Sequence, residues 1–147
     1  MTRPARHPAP PPQAVSADLE VPFHDVDVLE IAWHGHYLKY MDRARTHLMR
    51  ARRLDGEELA ALGYRFVIIE SHLRHAHPLR YGDRFRVSAW CAEAENRILV
   101  RYEIRDLGKG RVAASGETVL ATVTAAGGLC LEVPECVRER MGAVGGA

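Results

Sequence analysis

Only one stretch of this chain carries apolar residues at helical spacing. Between residues 36 and about 53, Tyr37, Met41, Ala44 and Leu48 recur every three or four positions and fall on one helical face. Beyond Gly63 the period changes. Residues 65–77 are rich in β-branched and apolar side chains, and 84–89 alternate polar with apolar. Ile98, Val100, Tyr102 and Ile104 alternate with Leu99, Arg101, Glu103 and Arg105. Residues 117–125 read as a further strand and 17–24 as an earlier one. A lone amphipathic helix must bury its stripe against something, and alternating strands offer one apolar face for it. The pattern predicts an α+β domain with one long helix and about five strands.

Turn signals set the connections. Pro78 with Tyr81-Gly82-Asp83, then Asn96-Arg97, then residues 107–110 join the later strands by short links, which favours an antiparallel meander over repeated βαβ units. The strands are long for a small sheet, so the sheet is expected to curl round the helix. One sheet face would stay partly open, which points to an oligomer.

Composition narrows the functions. The 147 residues suit one domain, and a formal net charge of +1 provides no long-range field for a nucleic acid or an anionic membrane. Cys91, Cys130 and Cys136 are too few and too dispersed for a disulfide framework or a four-cysteine zinc site, which fits a reducing compartment. With no apolar run approaching about 18 residues and no export-signal core, a cytoplasmic location is expected, with neither membrane nor nucleic acid as partner. Residues 1–15 hold five of the eight prolines and almost no large apolar side chain, and are expected to form a disordered tail. The domain is expected over 16–141, with a flexible, glycine-rich end at 142–147.

The segment that can carry chemistry is FHDVDVLEIAWHGHYLKYMDRAR, residues 23–45. Asp25 and Asp27 leave the first strand shortly before a helix expected to begin near His34 or Gly35. A helix start presents N–H groups without intrahelical partners and about half a positive charge, so it can hold a carbonyl oxygen that turns negative during acyl transfer. A nearby carboxylate can attack the carbonyl carbon or deprotonate a water. The same Asp-x-Asp spacing also serves as a turn or capping feature, and spacing alone leaves both readings open.

The pattern Asp25-x-Asp27, Ile31-x-Trp33-His34, Tyr37-Leu38 and Ala44-Arg45 resembles the signature of hotdog-fold acyl thioesterases of the 4-hydroxybenzoyl-CoA thioesterase type. Residues 66–70, the Pro78 to Asp83 turn and the alternating strands continue the likeness over about 17–141. The resemblance implies a hotdog fold, a five-stranded antiparallel sheet wrapped around one long helix, with sites along the interface of a homodimer or a dimer of dimers. It implies Asp27 as catalytic nucleophile or general base, the His34 backbone N–H as the group polarising the carbonyl, and Asp25 and Tyr37 as supporting residues. No cofactor is implied. Two positions depart from the pattern: Glu30 replaces a glycine that can supply positive φ, and His36 replaces an asparagine. With residues 33–37 these departures are similar to a subgroup from aryl-polyene pigment clusters, whose acyl group would ride on an acyl carrier protein rather than CoA.

Other side chains admit two readings each. His36 either walls the acyl site, as a partner of Asp27, or caps the helix. Glu70, in an otherwise apolar strand, is either a second acid facing the cleft or a strand end exposed to water. His75 and His77 share one strand face while His72 points away, so these histidines bring at most two ligands together and no metal site is expected. Cys91 alternates with Val87 and Ala89 on an apolar face, against a thiol nucleophile. Among the many arginines, Arg97 and Arg101 are the candidates for the phosphates of CoA or a phosphopantetheine arm. The expected function is hydrolysis of an acyl-CoA or acyl-carrier-protein thioester. The alternatives are a non-catalytic acyl-thioester binding module and a hotdog dehydratase or hydratase.

Overall fold

The computed structural model describes residues 7–142. Residues 1–6 and 143–147, on which much of the expected tail and flexible end fall, lie outside the described residues. In chain order the elements are β1 (Val15–Glu20), a single 3-10 turn (Phe23–Asp25), α1 (His36–Ala51), α2 (Gly56–Ala61), β2 (Tyr64–His75), β3 (Arg84–Ala94), β4 (Ile98–Asp106), β5 (Arg111–Thr124) and α3 (Glu135–Met141).

The strands form one antiparallel sheet in the order β1-β3-β4-β5-β2. The expected meander holds for β3, β4 and β5. It fails for β2, which crosses the sheet to pair with β5, Leu73 opposite Gly116 and Ile68 opposite Leu120. Hydrophobic period reports which face of a strand is buried, not which neighbour it takes. β2 thus becomes an edge strand of 12 residues, exposed along nearly its whole length, with Val67, Ile68 and Ile69 at 46%, 42% and 56% exposure.

α1 lies over β1, β3 and β4. Its Tyr37, Tyr40, Met41, Ala44, Leu48 and Met49 are buried at the spacing read from the sequence, and they share a core with Phe85, Val87, Val100 and Tyr102. Burying a side chain such as Leu48 contributes about 1.5–3 kcal/mol. Gly116 lets helix and sheet approach closely: a Cβ there would stand 3.1 Å from the Met41 sulfur and 2.8 Å from the His72 carbonyl oxygen.

Two short helices accompany the long one. α2 starts where the Asp55 side chain accepts from the Gly56 N–H at 3.1 Å. α3, absent from the expectations, is framed by Pro134 and by Gly142 at φ 57 and buries Val137 and Met141. Two turns of helix are too short for a period to register. Among the described residues, no helix is long and apolar enough to cross a membrane.

Candidate active site

Residues 26–32 form a tight hairpin that places the second acid. Val26 and Ala32 bridge, the Asp27 N–H donates to the Ile31 carbonyl at 2.9 Å, and the Glu30 N–H donates to the Asp27 carbonyl at 2.9 Å. Asp27 Oδ1 accepts from the Leu29 N–H at 2.8 Å, the bond by which an aspartate opens a turn. Its Oδ2 has no hydrogen-bond partner among the described residues. Glu30 holds φ 63, so the backbone keeps the left-handed conformation that suits glycine and carries a side chain there nonetheless. The tip is apolar and open, with Val28 at 94% and Leu29 at 68% exposure.

The first acid is spent on the scaffold. Asp25 is 1% exposed. The Tyr40 hydroxyl donates to its Oδ2 at 2.6 Å, Lys39 Nζ donates to Oδ1 at 3.1 Å, and His36 Nε2 stands 3.7 Å from Oδ1. Burial alone would raise its pKa, but the Tyr40 and Lys39 hydrogen bonds and the Lys39 charge outweigh burial and hold the carboxyl below its ordinary range. Burial and the Asp25 charge push the Tyr40 phenol up in turn. The Asp25 carbonyl accepts from the Trp33 N–H at 2.9 Å, which ties the hairpin to the approach to α1.

At that approach, Gly35 occupies the N-cap position, and no side chain caps the helix. Among the described residues, the N–H groups of His34 and Gly35 have no acceptor. They add to the positive end of α1. The Trp33 indole lies across Gly35, where a Cβ would fall 2.2 Å from the ring. Its centroid is 5.0 Å from that of His34 and 5.4 Å from that of His36. From β2, His75 meets the Tyr37 ring edge-on at 4.8 Å and approaches His34 at 6.4 Å. Burial, then the neighbouring His34, lowers the His75 pKa, so its imidazole is neutral at physiological pH. The Tyr37 hydroxyl accepts from the Leu79 N–H at 3.1 Å and fixes the 78–83 turn beside the hairpin.

The start of α1 thus offers two N–H groups without acceptors among the described residues, and the hairpin before it a carboxylate with one oxygen free. Over residues 21–141 the sequence matches the family described as the thioesterase-like superfamily. The chain belongs to this superfamily. By that membership it is an enzyme of the thioester-hydrolase class. The Synechocystis sp. protein sll0410 is 26% identical over 120 residues, covering 80% of this chain and 72% of the relative. Among solved structures, the 1,4-dihydroxy-2-naphthoyl-CoA thioesterase Slr0204 of Synechocystis superposes with TM-score 0.76 at 15% identity, covering 87% of this chain and 95% of the other. The gentisyl-coenzyme A thioesterase BH1999 superposes with TM-score 0.72 at 24% identity, covering 86% and 98%. These likenesses establish the hotdog thioesterase fold.

The remaining residues singled out in this thioesterase's sequence scatter. Glu70 follows a bulge between Ile68 and Glu70, lies opposite Val119 and has His72 Nε2 at 3.7 Å, on the strand face turned away from α1. Had β2 alternated without interruption, Glu70 would share a face with Ile68 and look toward the helix. His36 lies against Asp25 rather than forming a cap. Arg97 pairs with Glu93 and Arg101 with Glu117, each at 3.6 Å. The Cys91 thiol is buried, donates to the Glu93 carbonyl, and is pushed up to about 12 by burial, which leaves it inert. Sequence reasoning passed over Lys39 and Tyr40, which hold Asp25, and the site-side position of His75. Helical spacing already puts Lys39 and Tyr40 one turn after His36 and was the available signal.

Proposed function

We propose that the protein hydrolyses acyl-CoA thioesters at the start of α1, with Asp27 as the reacting carboxylate and the His34 backbone N–H as the oxyanion donor. The observation that supports this most is the contrast between two acids two residues apart: Asp25 is saturated with donors, whereas Asp27 keeps an oxygen free beside the segment leading to unpartnered N–H groups. With the thioester oxygen on the His34 N–H, two routes are open. Attack by Asp27 Oδ2 expels the thiolate and leaves an anhydride that water opens; alternatively, Asp27 takes a proton from a water that attacks directly. Both yield the free acid and the thiol, and a fixed donor at the oxyanion contributes roughly 3–4 kcal/mol to such a step. Neither route calls on a metal or cofactor.

A flat acyl group suits this site. The rings of Trp33, His34, His36, Tyr37 and His75 form a continuous row at the helix start, and the neighbours Slr0204 and BH1999 are named for aromatic acyl groups. The exposed apolar edge of β2 supports a homodimer, because an uncovered strand of this kind is a ready pairing surface. The test is thiol release from a panel of aryl, short and medium acyl groups on CoA and on a carrier protein. Wild-type turnover of aryl-CoA, reduced about 10²–10⁴-fold in Asp27→Asn, is expected. Near wild-type turnover by that variant defeats the mechanism, and tight binding without turnover by wild type favours the binding-module reading.

A further inference from the structure

The 78–83 turn presents an arginine that the site described so far leaves unused. Arg80 is exposed, and among the described residues no carboxylate lies within ion-pair distance of its guanidinium; the strand arginines Arg65, Arg74 and Arg84 are also unpaired, but Arg80 alone of these sits against the Asp27 hairpin. Its backbone is held firmly: the N–H donates to Asp83 Oδ2 at 2.8 Å, and the residue bridges Ile31 of the Asp27 hairpin. Asp83 is thereby occupied in closing the turn, its own N–H donating to the Arg80 carbonyl at 3.0 Å. Beside Arg80, Tyr81 and Phe23 meet edge-on at 5.9 Å while remaining 63% and 75% exposed. Two large rings left in water next to an unpaired guanidinium suit an occupant with both a flat apolar face and negative charge.

We propose that this turn is the subsite for the phosphorylated adenosine end of CoA, with Arg80 on a phosphate and the Phe23–Tyr81 pair against the base. This assignment rests on the acyl-CoA reading above and adds the part of the substrate that the chemistry does not touch. Arg80 pairs with Ile31, and three residues of chain, roughly 10 Å when extended, separate Ile31 from His34. An arginine side chain extends that span to one that the pantetheine arm bridges. A planar guanidinium makes paired bonds to phosphate, and bases stack on exposed rings whatever their sequence context. Arg97 and Arg101, by contrast, each stand 3.6 Å from a glutamate that an incoming phosphate would have to displace.

The test compares one acyl group carried by CoA and by N-acetylcysteamine, which lacks phosphates and base. In Arg80→Gln, KM for the CoA thioester is expected to rise about tenfold with the N-acetylcysteamine thioester unaffected. Arg80→Lys is expected to recover part of the loss. Calorimetry with free CoA and with pantetheine reads the same subsite without turnover, and only CoA binding should weaken in Arg80→Gln. Equal changes on both carriers, or none on CoA, overturn the proposal. So does a changed oligomeric mass of Arg80→Gln or Tyr81→Ala, which would make the turn a subunit contact. A wild type that hydrolyses neither thioester defeats the function proposed above, and CoA calorimetry then still decides the subsite.

Discussion

The Tyr40 hydroxyl, one turn into α1, donates a buried 2.6 Å hydrogen bond to Asp25 Oδ2. That bond joins α1 to the loop carrying Asp27. On the proposed mechanism the bonded pair ties the oxyanion donor to the reacting carboxylate, and removing it should disturb catalysis without touching either group. Tyr40→Phe leaves a buried carboxylate oxygen short of a donor and should cost about 1–3 kcal/mol in chemical denaturation. kcat should fall more than KM changes. An unaltered kcat would show that the hairpin is positioned by other means.

Asp25 also sets an acid limit. Its pKa is depressed in the folded state, so the unfolded chain binds more protons in the window below the usual aspartate pKa near 3.8. Its stabilisation is fully present above that value and is lost as pH falls through the depressed one. Asp25→Asn should be less stable at neutral pH and show a shallower acid limb in thermal melts taken from pH 5 downward.

His75 shifts the proton balance in the same direction, at a higher pH. Its pKa is lowered from 6.5 by burial and by His34, so below 6.5 the unfolded chain takes up the proton first and stability falls with acidity. In His75→Phe the loss of melting temperature between pH 7.5 and pH 5.5 should shrink, with the ring contact to Tyr37 retained. An identical slope in both proteins would remove His75 as the group responsible.

Glu30 at φ 63 stores strain at the mouth of the site. An L-residue in this conformation costs about 1–2 kcal/mol, and glycine gives back about 0.5–1 kcal/mol through a freer unfolded chain. Glu30→Gly should therefore stabilise the protein by roughly 0.5–1 kcal/mol, read from urea midpoints. A destabilised variant would mean that the Glu30 side chain makes a contact worth more than the strain.

Gly35→Ala tests the ring row. The added Cβ lands 2.2 Å from the Trp33 indole, which is exposed enough to swing away. Trp33 fluorescence should shift while stability changes little, and KM for an aryl thioester should rise several-fold. Unchanged fluorescence and KM would show the indole to be a bystander.

Much of the protein is legible one element at a time. The stripe of Tyr37, Met41, Ala44 and Leu48 announces α1, and alternation from Ile98 to Arg105 announces β4, because side-chain period is a local property that burial on one face imposes. The Asp25-x-Asp27 motif before a helix start is legible for the same reason: turn, cap and helix terminus are all short-range. The difference between the two acids is not, since it depends on Lys39 and Tyr40 returning to Asp25 from across a loop. Nor is the orientation of Glu70, because a bulge of one residue reverses every side chain beyond it and leaves no mark in composition. The partner of β2 and the placing of Arg80 beside Ile31 belong to the folded chain alone. Local pattern tells each segment which face to bury, whereas pairing between segments distant in sequence is settled only when their buried faces compete for one core.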